Sequence, residues 1–495
     1  MKRKVRLFLI LIMITVFITA CEDENGVASD TLIHKDINGI DIENLNQYDI
    51  EVELHYNNKR YSAKQWVTYV NNSNKTLGEL YFHIYPNAFK SLDTLPILFK
   101  DKIEDPLSYD NGYIEFKNIS KDNKKLDYRV MGEDDTTLSV KLNEPLLKGQ
   151  KTIIYMEYDV KLPNPMDRFG YGDRTINLGN WYPIACVYDE DGWNLDPYYN
   201  IGDPFYSDIA NYNVSLVSDM DVVIASSGNI LAETIVNGKK TYEIKGNLIR
   251  DFSIVASREF KIAEDEVDGT TIKLYYLDEK TDMIDKSLRF SRQSLKVFNK
   301  VFGKYPYRIY SVVLTEFPSG MEYPSIVFIS EDYFRHSVVD LLETVIVHET
   351  AHQWWYGLVG NNQIDEPWLD EALATYSETI YYKEIYGDEK GQEYFDYNIA
   401  LGYEYGKNYL AGKNIVYQAL DDFYGWDDYG ILVYAKGALF INEIKELYGE
   451  DTLYKILNTY FSEYKFYNAK TEDFIDICER ITKSDFTDLI NKWLY

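Results

Sequence analysis

From Leu45 to about Arg258 the apolar residues recur at every second position. Tyr48, Ile50, Val52, Leu54 and Tyr56 alternate with Asp49, Glu51, Glu53 and His55, the pattern of a strand with one face in a core. Ile154, Met156, Tyr158 and Val160 repeat it, as do Tyr212, Val214 and Leu216. Asn237-Gly238 between two β-rich stretches marks a hairpin, because both residues tolerate the positive φ that a tight turn needs. The pattern changes near Glu259. One more strand, Ile272 to Leu277, leads into Met283–Phe302, where Ile284, Leu288, Leu295, Phe298 and Phe302 take helical spacing. Strands at Ser311–Leu314 and Ser325–Ile329 bracket Pro318–Pro324, and from His336 to Tyr495 the pattern is mainly helical. The expected fold is α+β and multidomain: a β-rich N-terminal domain over 45–258, then a mainly helical domain over 259–495.

The first 44 residues do not share these periods. Lys2, Arg3, Lys4 and Arg6 form a positive start, and Leu7 to Ile18 is an apolar run too short to span a bilayer comfortably. Ile18-Thr19-Ala20-Cys21 resembles the lipobox of bacterial lipoproteins. That resemblance implies a signal peptide over 1–21, lipid on Cys21 (palmitate among the acyl chains), and a body tethered to a cell membrane on its extracytoplasmic side. An uncleaved signal anchor is the alternative. Residues 22–44 are polar and acidic and read as a tether.

Length and charge narrow the classes. The chain has 495 residues, enough for two or three cored domains, and 45% are hydrophobic. A net charge of −29 excludes nucleic acid as a natural partner. Cys21, Cys186 and Cys478 form no closely spaced pair, so Cys186 and Cys478 are expected as buried free thiols.

The chemistry concentrates at His348-Glu349-Thr350-Ala351-His352, an H-E-x-x-H in the apolar run Val338–Val359. On a helix, positions i and i+4 share a face, so both imidazoles can hold one metal ion while Glu349 sits beside it. Glu371, in Trp368-Leu369-Asp370-Glu371-Ala372, supplies a carboxylate. Two imidazoles and one carboxylate leave a fourth position open, the catalytic form of a zinc site. His34, His55, His83 and His336 have no metal spacing.

His348-Glu-Thr-Ala-His-Gln-Trp-Trp-Tyr-Gly357 followed by Trp368-Leu-Asp-Glu-Ala-Leu-Ala374 resembles the M1 family of gluzincin zinc aminopeptidases, with its H-E-x-x-H-x-W-x-G and W-L-N-E-G-F-A. The resemblance implies a thermolysin-like catalytic domain with one Zn²⁺ per chain held by His348, His352 and Glu371. It makes Glu349 the general base toward a metal-activated water. Met321-Glu322 matches the centre of the G-A-M-E-N motif, in which the carboxylate binds the free α-amino group of a peptide, and Gly320 just before it is a further substrate-binding candidate. Tyr434, in Val433-Tyr434-Ala435-Lys436-Gly437, matches the tyrosine that stabilises the oxyanion. Tyr429 is a second candidate there, Asp370 and Thr375 are candidate partners of the ligands, and Trp354, Trp355 and Trp368 are expected as packing.

Three departures stand out. Ser319 and Tyr323 replace the first Gly and the last Asn of G-A-M-E-N. Asn180, in Gly179-Asn180-Trp181-Tyr182-Pro183, is the nearest substitute for the N-terminal-domain glutamine that shares amine binding in many members. The chain stops soon after the catalytic domain, so a short form with a more open site is expected. The leading expectation is a zinc aminopeptidase acting on peptide substrates. A zinc endopeptidase and a non-catalytic surface binding protein are the alternatives.

Overall fold

The structure is a computed structural model that describes residues 30–34, 36–92, 94–95, 109–164 and 166–495. Cys21 and the expected signal peptide lie outside the described residues. The expected tether over 22–44 is already interrupted at Thr31. Its hydroxyl donates to Asn247 Oδ1, and Leu32 is buried beside Tyr307. An apolar residue that reaches a core is held there, whatever the polarity of its neighbours.

The alternation read from the sequence is the alternation of burial. In the strand Asn46–His55, Tyr48, Ile50, Val52 and Leu54 are buried while Glu51 and Glu53 are exposed. This strand lies inside an eight-stranded sheet, paired parallel with Ala210–Asp219 and antiparallel with Arg60–Val70. The register sets Tyr48 opposite Tyr212, and their rings stack at 4.9 Å. The Asn237-Gly238 turn joins Asn229–Val236 to Lys239–Ile249, with φ of 52° and 78°, the backbone that lets a two-residue hairpin follow the strand twist. Two four-stranded sheets complete this part among the described residues.

The next sheet has five strands in the order Lys261–Val267, Thr270–Tyr276, Ile309–Thr315, Ile326–Ser330 and Gly320–Met321. The three middle strands run parallel, and the short Gly320–Met321 strand forms one edge. Helix α1 (Thr281–Val301) follows the second strand, and helices α2 (Val339–Ala351) and α3 (Trp368–Tyr386) follow the sheet. A β-rich domain followed by a mainly helical one is the architecture the periodicities predict.

Helix α2 is shorter than the apolar run that contains it. It stops at Ala351 with His352 as its cap, Gly357 N–H returns to the His352 carbonyl at 2.9 Å, and Tyr356 takes φ +112°. The apolar residues beyond belong to a buried turn. There Trp354 donates to the Gly303 carbonyl and Trp355 to Ser377 Oγ, and on α3 Trp368 donates to Thr471 Oγ1. All three indoles are packing groups with satisfied N–H donors. Cys186 and Cys478 are buried and, among the described residues, unpaired, as expected.

Candidate active site

Helix α2 sets His348 and His352 one turn apart, and α3 brings Glu371 across to them. Nε2 of His348 and of His352 are 3.1 Å apart, and each lies 3.2 Å from Glu371 Oε2. The outer nitrogens fix the tautomers. His352 Nδ1 faces the Trp355 carbonyl at 2.9 Å and His348 Nδ1 faces Glu378 Oε1 at 2.7 Å. A carbonyl or a carboxylate only accepts, so both Nδ1 atoms are assigned as donors and both Nε2 lone pairs point inward. With both rings neutral, as metal binding requires, three electron-pair donors converge. Donors about 2.0–2.1 Å from a tetrahedral ion stand about 3.3 Å apart. The triangle seen here fits a zinc ion on edge length and on chemistry.

The electrostatics agree. Burial alone would drive both imidazoles down, yet the Glu371 charge lifts His352 to about 10, and hydrogen bonds to Glu371 and Glu378 lift His348 well above its ordinary value. Burial likewise opposes the Glu371 charge, and the two histidines more than offset it, holding the carboxyl below the usual range. The cluster as a whole favours bound positive charge, a proton or a metal ion.

Glu349 projects into the same cleft, only 5% exposed, and its Oε2 has no hydrogen-bond partner. Burial pushes its carboxyl up to about 7, which suits a group that takes and returns a proton near neutrality. Gly320 lies directly over it. A Cβ there would stand 1.9 Å from Glu349 Oε1, so this position needs glycine for the close approach.

Glu322 is 3% exposed and lines the cleft on the His352 side, where a carboxylate oxygen of Glu322, one of Asp370 and a nitrogen of His352 lie within 4.8 Å of one another. Burial and the Asp203 charge raise its carboxyl well above the ordinary range. Met321 is buried behind it, and Arg168 Nε donates to its sulfur at 3.0 Å. Tyr434 stands on a wide π turn, Gly430–Lys436, and its hydroxyl donates to Glu371 Oε1 at 2.7 Å. π turns in α-helices occur often at functional sites.

The structure therefore brings together His348, His352, Glu371, Glu349, Glu322, Gly320 and Tyr434 in a cleft of about 450 Å³. A hollow of similar size, about 480 Å³ and lined by Tyr206, Asp208 and Arg250 among others, lies apart from these donors, so chemistry and not size marks the site.

Four expectations change. Asn180 does not face the cleft: its Oδ1 accepts the Tyr323 hydroxyl at 2.8 Å. The same bond turns Tyr323 away from the cleft, toward the β-rich domain. The group that domain does supply is Asp203, 7% exposed and held by Arg168 at 2.6 Å. Asp370 bonds Asn361 and Gln363 instead of the ligands, and Thr375 Oγ1 has no partner. Tyr429 is buried against Gly202, behind the Tyr434 ring. Glu378 is the side chain that orients a ligand, and its other oxygen accepts the Tyr394 hydroxyl. One sequence signal pointed to it: Glu378 lies seven positions, about two helical turns, after Glu371. Gln363, which donates to both Glu322 and Asp370, had none.

The fold, a β-rich domain leading into a mainly helical one, is shared with solved M1 zinc metallopeptidases. An M1 zinc metallopeptidase from Deinococcus radiodurans superposes with a TM-score of 0.63 at 15% identity, over 91% of this chain and 94% of that one. Residues 287–493 match the peptidase family M1 domain. Aminopeptidase N of Lactobacillus helveticus is 24% identical over 424 residues, 82% of this chain and 49% of its own length. Aminopeptidase N of Streptomyces lividans is 27% identical over 246 residues, 46% of this chain and 28% of its own. The chain spans about half the length, or less, of the curated relatives it matches.

Proposed function

We propose that this protein is a zinc-dependent aminopeptidase that removes N-terminal residues from peptides. The observation that carries the reading is the joint placement of the donor triangle, an unpartnered Glu349 and a buried Glu322 in one cleft. A variant of the Deinococcus radiodurans enzyme has been solved with a Tyr-Ser-Ala substrate, in line with peptides as the substrate class.

Zinc bound at His348, His352 and Glu371 supplies Lewis acidity, which makes water a stronger acid and a carbonyl a better electrophile. The chain's own groups do the rest. Glu322 accepts hydrogen bonds from the α-ammonium of the peptide, a charge-assisted contact that fixes the chain end. Asp203, on the facing domain, adds negative potential there. A substrate without that ammonium leaves buried carboxylates unmatched, which disfavours internal peptide bonds. Glu349 takes the proton of the attacking water on its free oxygen and hands it to the leaving amine. Tyr434 turns its hydroxyl from Glu371 to the oxygen on which charge develops. The edge strand Gly320–Met321 offers backbone groups along which a peptide can lie extended.

The deciding experiment compares an amino-acid anilide with its N-acetylated form, alongside metal analysis. Hydrolysis of the free form only is expected, and equal cleavage of both removes the aminopeptidase reading. Glu349→Gln should keep zinc and lose at least about a hundredfold in kcat. Full activity in that variant contradicts the mechanism.

The same proposal places the protein on the outer side of a bacterial membrane, anchored by lipid on Cys21. Its support is the run Lys2–Cys21 in the sequence. No helix among the described residues is long and apolar enough to cross a membrane. Cys21→Ala should abolish incorporation of a palmitate analogue and release the protein from the membrane fraction.

A further inference from the structure

One rim of the cleft carries large apolar side chains that no described residue covers. Helix α4 (Asp388–Tyr394) continues through a π turn, Phe395–Ala400, into Leu401–Gly406. Tyr394 and Asn398 on this segment line the cleft, and Phe395, Ile399 and Tyr403 are buried. On the remaining side, next to the cleft-facing row, Tyr397 is 66% exposed, Leu401 40% and Tyr405 68%. Tyr409, in the turn that follows, is 79% exposed, and Tyr424 is 74% exposed two residues from Trp426, itself a cleft residue. Tyr397, Leu401 and Tyr405, four residues apart, fall on one side of this segment, and Tyr409 follows in the turn after Gly406. Exposed large apolar side chains grouped beside a cleft point to binding.

The geometry of the site gives the row its occupant. The amine anchor Glu322 lies on the His352 side, while Tyr394 reaches the site from the His348 side through Glu378. A peptide held at its amino end by Glu322 therefore leaves past His348, toward Asn398 and the tyrosines. From Tyr394 to Asp427 the chain carries five carboxylates, Glu404 paired with Lys407 among them, and two lysines. That charge repels an anionic lipid surface and attracts basic residues.

We propose that Tyr397, Tyr405 and Tyr409 form a docking surface for the C-terminal continuation of an extended peptide substrate, favouring basic and apolar residues. The inference rests on the aminopeptidase reading for its direction. From Tyr397 to Tyr405 the helix advances about 12 Å, the length of about four extended peptide residues. The row therefore serves peptides of about six residues or more and leaves dipeptides untouched.

The test uses the full chain with zinc and the Glu349→Gln substitution, so that peptides bind without being cut. Affinities are measured by fluorescence anisotropy for a dipeptide and for a decapeptide with the same first two residues and an Arg/Leu-rich tail. The parent should bind the decapeptide at least about tenfold more tightly. The triple variant Tyr397→Ser, Tyr405→Ser, Tyr409→Ser should lose that gain, with dipeptide affinity within twofold, since buried interface tyrosines are often hot spots. An unchanged decapeptide affinity, or an equal loss for both peptides, overturns the proposal. Tyrosine-dependent binding to phosphatidylglycerol vesicles, or a dimer broken by the triple variant, assigns the row to a different partner and overturns it too. Anilide hydrolysis together with length-independent affinity sinks the docking surface alone. Tyrosine-dependent decapeptide binding, when the chain that keeps Glu349 hydrolyses no anilide, sinks the peptidase reading alone.

Discussion

Glu378→Gln tests how the structure makes a zinc site. His348 keeps its ring in place through one side-chain bond, Nδ1–H to Glu378 Oε1 at 2.7 Å, between side chains only 14% and 9% exposed. A hydrogen bond to a charged group, shielded from water, contributes about 1.5–3 kcal/mol. Loss of such an outer partner typically costs about 10–100-fold in metal affinity, or about 1.4–2.7 kcal/mol. Glutamine keeps an acceptor oxygen but not the charge, so Glu378→Gln belongs at the tenfold end. Glu378→Ala also strands the Tyr394 hydroxyl and belongs at the hundredfold end. Competition against a chromophoric chelator reads the affinity directly. Melting with and without saturating zinc reads it again, because a tenfold weaker site stabilises the fold by about 1.4 kcal/mol less at fixed free zinc. Zinc affinity within twofold of the parent in both variants refutes the argument that Glu378 organises the site.

Three further outcomes follow from particular contacts. Tyr434→Phe should lower kcat by about 10²–10³ and leave zinc affinity within a few-fold, and a kcat within threefold of the parent removes its oxyanion role. Gly320→Ala drives a methyl group into Glu349 and should cost at least about tenfold in kcat/KM with zinc content unchanged; parent-like kinetics would show that the close approach is relieved elsewhere. Asp251 is fully buried against the Tyr356 hydroxyl, and burial raises its carboxyl to about 7 against an ordinary value of 3.8. The folded state then binds a proton that the unfolded state has released. The stability from this group is complete below about pH 4 and falls by up to roughly 4 kcal/mol as pH rises to about 7. Denaturant unfolding across that range should show a shallower decline in Asp251→Asn, and identical slopes in the two proteins would contradict the shift.

The strands at Asn46–His55, Lys151–Lys161 and Ala210–Asp219 were legible because the pleat imposes a period of two wherever one face is buried. The end of helix α2 was not, because Trp354, Trp355, Leu358 and Val359 stay buried through the turn that stops it. Burial continues there while the backbone changes, so the apolar pattern carries no boundary. Asn180 was the nearest residue to a missing partner by motif, yet Tyr323 holds it elsewhere, and Asp203 faces the site from the same domain.

The sequence by itself determined the pairing of His348 with His352 and the position of Glu349 between them, since one turn of helix decides which neighbours share a face. It also determined which halves of the chain are strands and which are helices. Only the tertiary structure decided which carboxylate orients His348, which residue crowds Glu322, and where the tyrosines at the rim lead. Glu378, Asp203 and Tyr394 meet the site from separate elements, and their distances depend on how the sheet, α3 and the segment that follows it pack together. No local spacing encodes that packing.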